Sequence, residues 1–443
     1  MIQKLTLFSV LMLMGMMARA QSVNIEFEEY TLDNGLHVIL HEDKSTPIVA
    51  VSIMYHVGSK NEKPDRTGFA HFFEHLLFEG SANIGRGEYT NYVENAGGTL
   101  NANTSYDRTY YFELLPSNQL EMGLWLESER LLHAKVENEG IETQREVVKE
   151  ERRQRIDNQP YGSWIQEMFI RAFKGYSYEW PVIGYMEHLN AAEEEDYVNF
   201  YKTFYVPNNA VLSIAGDLDI ETTKKMIEKY FGGIPRGTTE IPRPNKDVPP
   251  LKGEQRAVIY DNVQLPAFMT GYRIPAEGSD EYYAVSMLST LLSQGQSSRL
   301  YRALVDEQQK ALQIGSFPFG LEDSGINIIF ALVNMGGDID ELEAAMQVEI
   351  EKVRNELIGE KEFQKLRNQV ENDFVTSNST VARRAESLAN YHMYFGDANL
   401  VNTEIERYMK VTREDLQKAA QKYFVKENSV TLQYLPKSME EKP

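Results

Sequence analysis

The chain has 443 residues, 42% of them hydrophobic and 25% charged, with no cysteine and a formal net charge of −21. These values describe a globular chain long enough for about two to four domains. The missing cysteine excludes a disulfide framework, a thiolate nucleophile and a cysteine-linked lipid anchor, and the acidic balance argues against nucleic acid, whose binding rests on Lys and Arg against phosphate.

Residues 1–20 have the pattern of a secretory signal peptide. Lys4 gives a positive start, Leu5 to Met17 an apolar core, and Ala18-Arg19-Ala20 a small-x-small end before Gln21. An exported protein, periplasmic or extracellular, is therefore expected. Without those twenty residues, which hold Lys4 and Arg19, the formal charge is −23. No later segment approaches about 18 uninterrupted apolar residues, so no membrane insertion is expected. Phe27 to Leu32 and Leu36 to His41 read as strands around a turn at Asp33-Asn34-Gly35, and Ile48 to Tyr55 as a third, apolar strand. His37, His41 and His56 lie on or beside these strands. None has a second ligand at useful spacing, and they read as structural or exposed.

A polar loop from Gly58 to Thr67 leads into Gly68-Phe69-Ala70-His71-Phe72-Phe73-Glu74-His75-Leu76-Leu77-Phe78. As a helix this stretch places His71 and His75 one turn apart on one face, with Glu74 at its edge. Two neutral imidazoles at that spacing reach one Zn²⁺, and a carboxylate between them can take a proton from water. The order is H-x-x-E-H, the inverse of the commoner H-E-x-x-H. Two His and a Glu as mere polar residues would carry a desolvation cost in a helix this apolar, which favours a metal site.

Downstream, a helix closes over Asn91 to Ala96, Gly97-Gly98 breaks it, and strands follow at Thr99 to Thr104 and Thr109 to Leu115. Helices are expected at Leu120–Leu132, at Ile141–Arg155 (carrying Glu142, Glu146, Glu150 and Glu151), and at Ile165–Phe173, Asn190–Tyr205 and Ile220–Tyr230, with a strand at Ala210–Ala215. Residues 233–253 hold Pro235, Pro242, Pro244, Pro249 and Pro250 and read as a linker. The order of elements then starts again. Strands are expected at Ala257–Tyr260, Ala267–Ile274, Ile314–Pro318, Ile326–Leu332 and Val430–Tyr434. Helices are expected at Glu281–Leu292, Ser298–Glu307, Asp338–Leu357, Glu360–Ser377, Ala385–Tyr394 and Arg413–Tyr423. This predicts an α+β protein of two structurally similar α+β domains, each an antiparallel-rich sheet with helices packed on it. The division is 21–232, zinc-bearing, and 254–440, without metal ligands.

A catalytic zinc takes three protein ligands and a water, and candidates for the third lie on the Glu-rich helix. Here the chain resembles the pitrilysin/insulinase family of zinc peptidases, the inverzincins, and among them the short processing-peptidase-like subunits of bacterial type. The resemblance is carried by H-x-x-E-H at 71–75, Gly97-Gly98-Thr99-Leu100-Asn101-Ala102-Asn103-Thr104, Val147-Val148-Lys149-Glu150-Glu151, and Tyr205-Val206-Pro207-Asn208-Asn209 with Gly216-Asp217. It implies one Zn²⁺ per chain on His71, His75 and Glu151, with Glu150 as the fallback, and Glu74 as catalytic base. It also implies a peptide substrate laid along Leu100, Asn101, Ala102 and Asn103. The glycine pair and small side chains there independently suit an edge strand that pairs with an extended peptide. Where the family often has a Glu seven residues before the ligand, this chain has Gln144.

The family also supplies an Arg and a Tyr, seven residues apart, from its second half to hold substrate and oxyanion. The corresponding positions here hold Val305 and Leu312; Arg299, Tyr301 and Arg302 are near but wrongly spaced. The resemblance implies a clamshell of two such two-domain chains. The expected protein is therefore a zinc endopeptidase subunit acting with a partner of the same family that lacks H-x-x-E-H, in a heterodimer. The alternatives are a self-sufficient homodimer in which Arg299 or Tyr301 substitutes, and a non-catalytic scaffold subunit.

Overall fold

The computed structural model describes residues 24–440; the predicted signal peptide at 1–20 lies outside the described residues. The hairpin at Asp33-Asn34-Gly35 joins β1 (Glu28–Thr31) to β2 (His37–Glu42), and β3 (Ile48–Tyr55) follows. The next elements are α1 (Phe69–Leu76), α2 (Glu88–Asn95), β4 (Thr99–Thr104), β5 (Thr109–Pro116), α3 (Leu120–Leu132) and α4 (Asn138–Arg152). Then come α5 (Trp164–Ala172), α6 (Met186–Ala191), α7 (Glu194–Phe204), β6 (Ala210–Gly216) and α8 (Ile220–Phe231). The strands form a six-stranded sheet in the order β1-β2-β6-β3-β5-β4. All pairs are antiparallel except β2 with β6. One face, carrying Val51, Ile53, Tyr55 and Tyr111, packs on α1 and its neighbouring helices.

The second half comprises β7 (Gln255–Asp261), β8 (Ala267–Ile274), α9 (Asp280–Ser293), β9 (Ala311–Phe319), β10 (Gly325–Val333) and α10 (Ile339–Asn355). It ends with α11 (Glu360–Ser377), α12 (Val381–Phe395), α13 (Leu400–Lys410), α14 (Arg413–Tyr423) and β11 (Ser429–Pro436). Its sheet runs β7-β11-β8-β10-β9, with only β7 and β11 parallel. That order and those senses repeat β2-β6-β3-β5-β4, so the chain is two copies of one α+β plan.

Each copy lends a helix to the other's sheet. Strand β3 is buried nearly throughout, which requires cover on both faces. Its second face is covered by α12: Leu388 and Ala389 meet Ile39, Met54, Tyr110 and Val211, and Ala385 meets Ala50 and Ala215. Reciprocally, Met168, Phe169 and Ala172 of α5 pack on Met269, Ile326, Val430 and Leu432 of the second sheet. Helix and strand approach closely where side chains are small: a Cβ on Gly271 would lie 2.5 Å from Met168 Sδ. The segment 233–253 forms no helix or strand. It lies down on the protein, with Arg243 bonded to the His56 carbonyl and to Asn209 and with Val248 and Leu251 against the α5 cluster.

Several elements depart from expectation. The helix expected over Asn190–Tyr205 is divided into α6 and α7, with an extended break at Ala192–Glu193 where Glu193 starts the second helix in a capping box. Helix α4 passes at Arg153–Asp157 into a π turn, and Tyr301–Glu307 is π-helical as well. Helix α13 was not expected; its buried Leu400, Val401 and Glu404 are too few to set a long period.

The halves are also joined by buried ions. The turn between β4 and β5 meets the turn between β9 and β10. Lys60 contacts Asp107 (2.8 Å), Glu322 (2.6 Å) and Asp323 (2.9 Å). Tyr178 donates to Asp107 and Tyr176 to Asp323, while His56 pairs with Glu322 at 2.8 Å. Burial pushes Glu322 up, but bonds and charge from His56 and Lys60 outweigh it and hold the carboxyl well below 4.5. Removing Lys60 leaves three buried carboxylates facing one another. Lys60→Ala is expected to cost about 3–5 kcal/mol, read from urea midpoints. Because the folded pKa of Glu322 is depressed, its contribution is complete above pH 4.5 and is lost on acidification. The wild-type urea midpoint should fall in that range, and the fall should be smaller in Glu322→Gln.

Candidate metal and catalytic site

Helix α1 is fixed at both ends by partners far from it in sequence or outside the helix. Gly68 caps its start at φ +92, and a Cβ there would lie 2.7 Å from the Ile183 carbonyl. No local side chain caps the first turn. The buried Glu62 does so, accepting from Gly68 N (2.8 Å) and Ala70 N (2.9 Å). At the other end Arg130 Nη1 donates to the Leu77 carbonyl (3.0 Å), and Tyr111 donates to the Phe73 carbonyl (2.9 Å). The apolar face, Phe69, Phe72 and Phe73, stacks on Tyr197, Phe200 and Tyr205. The rotation left by that packing presents His71, Glu74 and His75 together.

Helix α4 brings the third group. Ile141, Arg145, Val148 and Arg152 form its buried stripe. Arg145 donates to the Leu189 and Ala192 carbonyls and Arg152 to the Gly184 carbonyl (2.7 Å), which fixes the helix rotation. Glu151 then faces α1. Its Oε2 lies 3.5 Å from His71 Nε2 and 3.1 Å from His75 Nε2, and the three ligand atoms fall within 4.8 Å of one another. Glu150 points outward, is exposed, and bonds to Arg153 and Gln154. Of the two candidate carboxylates, Glu151 is the one brought to the imidazoles.

The electrostatics suit a cation. Burial, then the neighbouring His75, lowers His71 to about 4, so its imidazole is neutral near pH 7. Burial pushes Glu151 up, but the bond from His75 and the fields of His71, His75 and Arg155 outweigh it and the carboxyl is lowered. Glu151 Oε2 is buried and faces two imidazole nitrogens, with no partner besides them. An N,N,O donor set of this kind fits Zn²⁺. Arg155 holds the other oxygen of Glu151 at 2.6 Å and so orients it.

Glu74 stands outside this triad. Burial raises its pKa, and Thr104 Oγ1 donates to its Oε2 at 2.6 Å. Thr104 ends β4, which among the described residues pairs with β5 alone, so β4 is the sheet edge nearest the triad. Leu100, Asn101, Ala102 and Asn103 lie on that edge with alternating exposure. Ala102 N–H donates to the side-chain oxygen of Asn101 (2.9 Å), and Arg108 ties Asn103 to Glu386 of α12. Gln144 donates to Glu79 at 2.5 Å, and Arg86 donates to the same carboxylate. A carboxylate therefore stands beside α4, supplied by residue 79 and not 144.

The second half brings no comparable set. Val305 packs against the second core, and Leu312 is 53% exposed at the start of β9. Arg299 is held bidentate by Glu362 (2.9 and 2.7 Å), Arg302 pairs with Glu307, and Tyr301 packs on the core. Sequence spacing did not reveal Thr104, Glu62 or Arg155. Arg155 alone carried a signal, lying four residues beyond Glu151 on one helix. One reading needs correction: His37 does gather further ligand-type groups, Glu29 and His392. Residue 392 lies 355 positions away, beyond any local spacing rule.

Two α+β copies in one chain, an H-x-x-E-H helix and a downstream Glu meeting it define an inverzincin-type fold and site. The family model for the insulinase family (peptidase family M16) matches residues 37–183, and that for the M16 inactive domain matches residues 192–370. The chain is 30% identical over 432 residues to the zinc protease PqqE of Helicobacter pylori, covering 97% of each chain. It is 27% identical to an uncharacterized zinc protease of Mycobacterium leprae, over 83% of each. The crystal structure of a protease from Helicobacter pylori matches with a TM-score of 0.89 at 29% identity, covering 93% of this chain and 100% of that one. Pitrilysin matches in fold with a TM-score of 0.78 at 17% identity, over 94% of this chain but 45% of its own. The chain belongs to the insulinase family, peptidase family M16.

The different surroundings of Glu150 and Glu151 make a clear comparison. Glu151→Gln should weaken the tightest zinc binding by on the order of 100-fold in competition with a chromophoric chelator, whereas Glu150→Gln should leave it unchanged.

Proposed function

We propose that this chain is the zinc-bearing subunit of an exported endopeptidase that hydrolyses unfolded peptides and works with a partner chain of the same family. The observation that carries the reading is the convergence of His71, His75 and Glu151, with Glu74 outside that triad and held by Thr104 at an open strand edge. His71, His75 and Glu151 would hold the ion. Zinc, when bound, supplies the positive charge that acidifies water and polarises the scissile carbonyl.

The other steps belong to this chain's own residues. The unpaired edge of β4 holds the substrate main chain in extended form, by strand addition along Leu100 to Asn103. Glu74 takes the proton of the attacking water on the oxygen not held by Thr104, then returns it to the leaving amine. Its raised pKa makes it a better base than an ordinary carboxylate. The Thr104 hydroxyl fixes the carboxyl and favours its ionised form.

The need for a partner rests on Val305 and Leu312, which offer no donor for an oxyanion, and on Arg299, which Glu362 already engages. It is also in keeping with the 45% of pitrilysin that this chain spans. Export rests on the pattern of residues 1–20.

The test is cleavage of a pool of short unfolded peptides by the zinc-loaded chain, alone and with the product of the neighbouring gene added. Cleavage is expected only with the partner, and Glu74→Gln should lower kcat by about 10²–10⁴-fold with zinc content unchanged. Full cleavage by the chain alone would overturn partner dependence. No cleavage in either case, with zinc bound, would leave a scaffold. Thr104→Val removes a donor to Glu74, so the acid limb of the rate profile should move to higher pH.

A further inference from the structure

We propose that Glu29, His37 and His392 form a second divalent-metal site, of zinc type, which clamps the outer edge of the first sheet to α12 of the second half. The site is remote from the catalytic one. Strands β1 and β2 form the edge of the six-stranded sheet opposite β4, and His37 and Ile39 point to the face covered by α12, not to that covered by α1. Nothing in the proposed peptide hydrolysis uses these three side chains.

The Glu-to-His separations resemble those of the first triad, although the rings there meet edge to face. Glu29 Oε2 lies 3.0 Å from His37 Nε2 and 3.6 Å from His392 Nδ1; the corresponding separations around Glu151 are 3.1 and 3.5 Å. Donors at about 2.0–2.1 Å from a tetrahedral zinc are about 3.3 Å apart, which both sets bracket. The three ligand atoms lie within 4.8 Å of one another. Each side chain is also prepared. Thr31 Oγ1 lies 3.1 Å from His37 Nδ1, which leaves Nε2 directed at Glu29. His392 Nδ1 is buried and has no hydrogen-bond partner.

The rings stack with centroids 3.4 Å apart and an interplanar angle of 7°. Binding therefore needs a rotation of the rings that turns both lone pairs to one point, and no hydrogen bond at His392 Nδ1 opposes it. Glu29 is 41% exposed and opens the site to solvent. The backbone around it is already fixed, because Asn402 of α13 exchanges two hydrogen bonds with Ile25 (2.8 and 3.0 Å). An ion here would join residues 29 and 37 to residue 392 and so oppose separation of the halves.

The test measures Zn²⁺ bound at equilibrium by the metal-stripped full chain, using dialysis and metal analysis, with thermal midpoints alongside. The wild type should hold about two equivalents and His71→Ala/His75→Ala about one. Adding His392→Ala or Glu29→Gln to that double variant should abolish the remaining equivalent, or weaken it at least tenfold. The second equivalent should also raise the thermal midpoint of the wild type and not that of His392→Ala. Glu29→Gln keeps the shape of the side chain, so the outcome does not depend on one variant folding. The proposal is overturned if no zinc equivalent depends on both Glu29 and His392. Loss of zinc only on changing His71 and His75 would overturn this site and leave the catalytic one standing; the reverse pattern would do the opposite.

Discussion

The site depends on the burial of one short helix. Helix α1 is eight residues long, too short to hold itself in water. It persists because Phe69, Phe72 and Phe73 bury against the aromatic side of α7 and the residue that follows it, and because Glu62, Tyr111 and Arg130 satisfy its main chain. The same packing fixes its rotation. Once the phenylalanines face inward, the 3.6-residue period leaves His71 and His75 facing α4 and Glu74 facing β4. Three polar groups thus share a helix with a hydrophobic anchor and inherit its rigidity.

Arg130 shows how far that support reaches. It is fully buried between Glu113 and Glu127, lies over the rings of Phe78, Tyr89 and Tyr111, and donates to the end of α1. A guanidinium in such a place carries a large desolvation cost, offset by the acidic side chains, the carbonyl and the ring faces together. The polar interior is thus concentrated behind α1, where orientation matters to about an ångström.

The repeat of one plan in two halves explains the reciprocal cover. A sheet buried on both faces needs two layers of helix, and each half keeps one layer of its own and takes a helix from its neighbour. The small residues Ala50, Ala215, Ala385 and Gly271 mark the contacts. The halves are accordingly less separable than their order along the chain suggests. Lys60 with its three carboxylates and Arg384 with Asp43 join them through charge as well.

Much of this was legible in the residues alone. The spacing of His71, Glu74 and His75 is local, so a helical period is enough to bring them together. The strands from Ile48 and Ala267 and the repeated order of elements follow from hydrophobic pattern and turn residues. The long helices α10 and α11 follow from a period sustained over many residues. What the sequence could not decide was rotation and distance. Glu150 and Glu151 are neighbours with the same chemistry, and only the buried stripe of α4, anchored by Arg145 and Arg152, turns one to the histidines and the other to solvent. Thr104 reaches Glu74 across thirty residues, and His392 meets His37 only because α12 crosses back over the first sheet. Those contacts are products of tertiary packing, since no local period links residues that distant strands and helices bring face to face.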